Sequence, residues 1–313
     1  AASSDYPLRD VYKRQVQAKD KKGGFVRQDS QFRNVVTPSG EGGFKAEAGR
    51  YHLYVALICP WASRTLAARK LKGLEDAISV SIVEPELDAE GWRFADGADP
   101  VNNAHYMHQI YTAADARYTG RATVPVLWDK QSRTIVNNES ADIVRMFNAG
   151  FGELAKNRID LYPEHLRPAI DALNAAIYPK LNNGVYRCGF ATTQVAYEEA
   201  YHDVFAMLDQ LEERLASGPY LFGEDLTETD IRLFVTLVRF DAAYFGLFKA
   251  NKRRIVDYPN LQAYLTRLLA IPAFRDTVNI DHIKRGYYSV KSLNPNGIVP
   301  LGPEGIDLTG TGL

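Results

Sequence analysis

Between Tyr51 and Gly73 the chain switches from a period of two to a helical pattern across a single residue, Cys59. In "RYHLYVALI" the alternate positions Tyr51, Leu53, Val55 and Leu57 predict one face of a strand. "PWASRTLAARKLKG" then opens with Pro60 at the favoured first helical position and meets Gly73 as a stop signal. "AISVSIVEP" supplies a second strand, a long polar stretch follows, and "ATVPVLWDKQSRTIVNN" predicts two short strands around a turn from Lys130 to Arg133. The helix "ESADIVRMFN" starts at Glu139 and carries Ile143, Val144 and Phe147 on its apolar face. The resulting order is β-α-β, insertion, β-β-α, an α/β unit.

Past residue 150 the strand signal disappears. "YEEAYHDVFAMLDQLEERLAS" has helical spacing through Tyr201, Val204, Phe205, Leu208, Leu211 and Leu215. "TETDIRLFVTLVRFDAAYFGLF" is apolar almost all round, which predicts a helix at the centre of an all-α domain, started by a capping box of Thr227 and Asp230. Further helices are expected at "NLQAYLTRLLA" and "NIDHIKRGYY". A chain of 313 residues, 46% hydrophobic, can bury two modest cores. The expected division is an N-terminal extension over 1–45, an α/β domain over 46–150, an all-helical domain over 151–290 and an irregular Gly- and Pro-rich tail over 291–313. The first dozen residues are expected to be disordered.

A formal charge of −1, with no long Lys/Arg block, reads against nucleic acid or an anionic membrane surface as partner. No apolar run approaches the ~18 residues needed to span a bilayer, and no apolar signal segment opens the sequence. Two cysteines cannot form a disulfide framework, and no ligand-spaced Cys or His accompanies Cys59, so no metal is expected. A reducing cytoplasm fits best, and thiols there stay reduced, which reads against a Cys59–Cys188 bridge.

A cysteine at a helix N-terminus faces unpaired backbone N–H groups and the positive end of the helix dipole, and both favour thiolate. Cys59 is therefore a candidate nucleophile, set against the plainer reading of a buried structural thiol, which suits Cys188. Three residues on, where a dithiol oxidoreductase has its second cysteine, stands Ala62, so Cys59 must work as a monothiol and rely on an outside thiol such as glutathione. In "TVPVL", a cis Val124–Pro125 bond would present backbone to a peptide-like ligand. Glu139 and Ser140, at a helix start, suit an amino group and a carboxylate, or else simple capping.

Taken together, these segments resemble the glutathione transferase superfamily. "FVRQDSQFRN", "GRYHLYVALICPWASRTLAARKLKGLED", "GRATVPVLWD", "NNESADI", "DIRLFVTLVRFDAAYFGLFK", "HIKRGYYSV" and "LNPNGIVPLGP" are closely similar to the glutathionyl-hydroquinone reductases, the Xi class. Ser63 departs from them, since many relatives carry His there. The resemblance implies a thioredoxin-like N-terminal domain, an all-α C-terminal domain and a homodimer. It implies reduction of aromatic S-glutathionyl-hydroquinones, with glutathione as co-substrate and a Cys59–glutathione disulfide as intermediate. It further implies that Trp92, Arg121, Thr123, Val124, Glu139 and Ser140 bind glutathione. Tyr186 would protonate the departing ring, with Tyr244 and Tyr287 near the thiol. Taken singly, each of the 18 tyrosines reads as packing sooner than as chemistry. The alternatives are an Omega-like thiol transferase or dehydroascorbate reductase, a glutathione-dependent ether-cleaving enzyme, and a non-catalytic assembly module.

Overall fold

The computed structural model describes residues 18–19, 23–26 and 30–304. The disorder expected for the first dozen residues falls outside them. Two strands, β1 (Ala18–Lys19) and β2 (Phe25–Val26), pair antiparallel as a short ribbon. The described chain divides into two compact units, one of residues 30–159 and one of this ribbon with residues 160–304.

The first unit is built on a four-stranded sheet of β3 (Tyr51–Val55), β4 (Ile78–Ile82), β5 (Val126–Asp129) and β6 (Thr134–Asn137), in the order β4-β3-β5-β6. β3 runs parallel to β4 and antiparallel to β5, and β5 is antiparallel to β6. The parallel pair requires a crossover, supplied by helix α1 (Pro60–Leu71). All five residues of β3 are buried, so both of its faces are covered; the single apolar face read from the alternation is half of the answer, and Leu57 lies beyond the strand. The other face hides its polar atoms by pairing them. Tyr54 donates its hydroxyl to Asp99 at 2.8 Å, and the His52 ring nitrogens sit 2.6 and 2.7 Å from the Ser79 and Ser81 hydroxyls. Burial drives the His52 pKa down to about 4.

Residues 30–45 do not stand apart from this unit: Asn34 N–H donates to Val136 O at 3.0 Å and Asn138 N–H to Phe32 O at 3.1 Å, so the segment runs along β6. The polar insertion holds a helix not expected from the sequence, α2 (Met107–Ala114), started by the Gln109 side chain accepting from the His105 and Tyr106 N–H groups at 2.6 and 2.9 Å. Helix α3 (Ser140–Arg145) runs into a π-helical turn, Met146–Gly150. The unit closes where Lys72 donates through Nζ to the Ile159 carbonyl.

The second unit contains α4 (Arg167–Ile177), a π turn over Tyr178–Asn182, α5 (Gly184–Gly189), α6 (Gln194–Arg214) and α7 (Glu228–Arg239). A second π turn over Phe240–Tyr244 follows, then α8 (Pro259–Leu269), α9 (Pro272–Arg275) and α10 (Ile280–Tyr288). Every residue of α7 except Arg232 is buried, as its all-round apolar pattern requires. At the expected α7 start the Asp230 carboxylate accepts from Thr227 N–H at 2.9 Å, the return half of a capping box, and from the Tyr264 hydroxyl at 2.6 Å; burial nevertheless raises its pKa to about 6. Residues 291–304 form no helix or strand. Among the described residues no helix is long and apolar enough to cross a membrane.

Candidate active site

In the first unit the site begins at the β3–α1 junction. Cys59 is the N-cap residue of α1, in extended conformation with φ −73° and ψ 117°, and Pro60 takes the first helical turn. The thiol is half-buried and reduced. Its sulfur lies 3.7 Å from the Val124 carbonyl oxygen, to which the S–H donates. The Val124–Pro125 bond is cis, the conformation expected from "TVPVL". Tyr111, on α2, holds the approach to this bond: its hydroxyl donates to the Thr123 carbonyl at 2.8 Å and lies 3.1 Å from Thr123 Oγ1. Cys59, Thr123 and Val124 thus belong to one locality of the first unit.

Glu139 and Ser140 open α3. Glu139 is its N-cap, and the carboxylate accepts from Ala141 N–H at 3.3 Å through one oxygen and from the Ser30 hydroxyl at 3.1 Å through the other. The capping reading of Glu139 is therefore correct as far as it goes. A carboxylate has about four lone-pair sites, so these two bonds leave acceptor capacity and the charge. Ser140 is buried, and its hydroxyl oxygen accepts from Arg64 Nη2 at 2.5 Å. Arg64 lies on α1 one turn beyond Cys59 and is 4% exposed, so α1 and α3 place a buried guanidinium at the α3 N-terminus. Trp92 and Arg121 are half-buried; the Trp92 carbonyl accepts from Met107 N–H at 2.9 Å, and the Arg121 carbonyl from the Tyr118 hydroxyl at 2.6 Å.

The second unit gathers the three tyrosines. Tyr186 is on α5, Tyr244 ends a π turn, and Tyr287 is on α10. The Tyr287 hydroxyl lies 2.5 Å from that of Tyr186 and 2.6 Å from that of Tyr244, so three phenols share one hydrogen-bonded row. Phe25, Phe190 and Phe248 surround the row, with Phe248 stacked on Tyr244 at 5.2 Å between ring centroids. Burial, reinforced by the two neighbouring phenols, pushes Tyr287 well above the ordinary tyrosine range, so it stays protonated. The second thiol, Cys188, is buried and pushed up to about 12, which suits a structural residue. Among the described residues no group of three His, Cys, Asp or Glu is arranged to hold a metal ion.

Comparison with known proteins decides the family. The Glutathione S-transferase, N-terminal domain, matches residues 58–149, and the Glutathione S-transferase, C-terminal domain, matches residues 194–267. The crystal structure of the glutathione-S-transferase Xi from Phanerochaete chrysosporium superposes with a TM-score of 0.89 at 50% identity, covering 92% of this chain and 95% of that one. The chain belongs to the Xi-class glutathione transferases. Glutathionyl-hydroquinone reductase PcpF of Sphingobium chlorophenolicum is 52% identical over 286 residues, 90% of each chain. The glutathione-bound structure of YqjG from Escherichia coli K-12 superposes with a TM-score of 0.85 at 50% identity, covering 87% of this chain and 92% of that one. The architecture expected from the sequence, a thioredoxin-like unit followed by an all-α unit, is that of this transferase family.

Several residues that support the candidate groups of each unit escape a reading of the sequence. Arg64 passes as a surface charge in a helix of good formers; only the buried Ser140 contact distinguishes it. Ser30 lies 109 positions from Glu139, in "FVRQDSQFRN", and no local pattern couples the two. Phe190 and Phe248 are ordinary core aromatics until the tyrosine row is located.

Proposed function

We propose that this protein reduces S-glutathionyl-hydroquinones to free hydroquinones at the expense of glutathione. The observation that carries the reading is the Cys59 sulfur, at the N-terminus of α1 and 3.7 Å from the Val124 carbonyl, in a chain where Ala62 replaces any second thiol of the turn. A thiolate there attacks the sulfur of the glutathionyl group. The new S–S bond forms as the ring-carbon–sulfur bond breaks, and the electron pair leaving with the ring carbon takes a proton from Tyr186. A second glutathione thiolate then attacks the glutathione sulfur of the Cys59 disulfide, releasing glutathione disulfide and restoring Cys59. One glutathione thiol and the thioether sulfur of the substrate end as one disulfide, and one ring carbon is reduced. Tyr186 recovers its proton from solvent.

The residues of the first unit suit the charges of glutathione. The Glu139 carboxylate would take the γ-glutamyl ammonium; Ser140, backed by the buried Arg64 charge and the α3 N-terminal N–H groups, would take its α-carboxylate. The Val124 backbone would pair with the cysteinyl part and Thr123 would border it. Arg121 would hold the glycyl carboxylate, and Trp92 would cover the tripeptide. Tyr287, held neutral by burial, can donate a hydrogen bond to Tyr186 as that phenol releases its proton, and Tyr244 can donate to Tyr287 in turn. No step calls for a metal. The cycle needs abundant reduced glutathione, which supports a cytoplasmic location, and we assign the protein a homodimeric state as for glutathione transferases in general.

The test is direct. Incubation with a glutathionyl-hydroquinone and glutathione should yield one hydroquinone per glutathione disulfide formed. Turnover of dehydroascorbate or of a protein mixed disulfide at a far higher rate would replace this reading with the Omega-like one.

A further inference from the structure

The β1–β2 ribbon precedes both transferase domains in sequence, yet Phe25 on it packs against Tyr186, one end of the tyrosine row. Phe25, the first residue of β2, is 4% exposed, with its ring centroid 6.0 Å from that of Tyr186 and 5.7 Å from that of Phe190. The attachment is specific. The Gly23 carbonyl accepts from both the N–H and the hydroxyl of Thr192, each at 3.1 Å, in the short link between α5 and α6. Gly23 has φ +79°, and a Cβ there would stand 2.3 Å from Thr192 Oγ1. That backbone conformation and that space admit only glycine. The ribbon is thus fastened by Gly23 to the residues just after α5, and it spends the fastening on burying one aromatic ring against the α5 face that carries Tyr186.

Tyr186 is held at its hydroxyl by Tyr287 and along its ring by Phe190 and Phe248, with centroids at 6.1 and 5.2 Å. Phe25 supplies the contact from outside the helices. A phenol that must reach a ring carbon cannot drift, because about 1 Å of misplacement can cost ~100-fold in rate.

We propose that Phe25 is a positioning residue for Tyr186, so that the N-terminal ribbon is a working part of the aromatic half of the site. This rests on the reading of Tyr186 as the proton donor. Two kinds of variant test it in the full chain. Phe25→Ala removes the ring, and Gly23→Ala keeps every aromatic residue but displaces the ribbon and the Phe25 ring with it. Both should lower kcat for a glutathionyl-hydroquinone about tenfold or more with little change in the KM for glutathione, and should leave the rate of Cys59 alkylation by iodoacetamide unchanged. Phe25→Tyr should restore most of the lost kcat, and Phe25→Leu, which keeps apolar bulk, should fold and restore only part of it.

Unchanged kcat in Phe25→Ala overturns the proposal and leaves the reductase reading standing. A parallel fall in alkylation and turnover overturns it in favour of a general folding role. A Tyr186→Phe variant with undiminished turnover removes the reading itself, and the proposal with it.

Discussion

Cys59 carries the heaviest demand of any residue in the chain. A helix N-terminus favours thiolate, so alkylation of Cys59 should remain fast below pH ~8.5, where an ordinary thiol is mostly protonated. Cys59→Ala should abolish both alkylation and hydroquinone release; Cys188, buried and shifted up to about 12, should not compensate. Replacing Tyr186 by Phe removes the proposed proton donor and should lower kcat by about 10²–10⁴-fold, measured by single-turnover release of hydroquinone, with alkylation of Cys59 unaffected. Away from the site, His52 links stability to pH. Its folded pKa of about 4 lies below the ordinary value of 6.5. The unfolded chain therefore binds the extra proton between those values, and the His52 contribution is complete above pH 6.5 and is lost as pH falls toward 4. The stability difference between wild type and His52→Gln, from urea titrations, should shrink by about 3 kcal/mol between pH 7 and pH 4. A difference that stays constant would show that the buried imidazole already carries its charge.

At the scale of elements, legibility in the sequence followed the strength of local signals. The α1 start at Cys59–Pro60 and the α7 start at Thr227–Asp230 each have a residue whose chemistry demands the conformation, and each is found where expected; the Lys130–Arg133 turn is also found, although Arg133 takes φ +57° there. Helix α2 is hidden because its start is not a Ser, Thr, Asp or Asn; the capping group is the Gln109 side chain, reaching back from within the helix. Helix α5 has only six residues and a glycine at each end, so no propensity argument proposes it. What fixes α5 is packing. A Cβ on Gly189 would lie 2.4 Å from two atoms of the Phe248 ring, so α5 approaches the aromatic cluster as closely as glycine allows. Gly189→Ala should cost about 1–3 kcal/mol through forced displacement of that ring, visible as a lower urea midpoint together with reduced kcat. The candidate site divides in the same way. Cys59, Val124 and Glu139 announce themselves through position in a turn or at a helix start. Arg64, Ser30 and Phe25 matter only through partners far away in sequence.

For the whole molecule, the two units differ in what they offer a substrate. In the proposed reading the first supplies charge, backbone and a thiol suited to a tripeptide, and the second supplies aromatic surface and hydroxyl groups. If the homodimer assignment is right, sedimentation equilibrium should return twice the 35.0 kDa chain mass at micromolar concentration; a single-chain mass at all concentrations would reject it. The tyrosine row has a consequence of its own. Each phenol owns one hydrogen, so when Tyr287 spends its own within the row the row runs in one of two directions. In one, Tyr244 gives to Tyr287, Tyr287 gives to Tyr186, and Tyr186 keeps its hydrogen for another acceptor. In the other, Tyr186 spends its hydrogen inward on Tyr287. Under the role proposed for Tyr186, only the first polarity can serve a reacting ring. If Tyr186 is the proton donor, the direction of the row decides whether an encounter is productive, and turnover in mixtures of light and heavy water should respond to more than one exchangeable hydrogen.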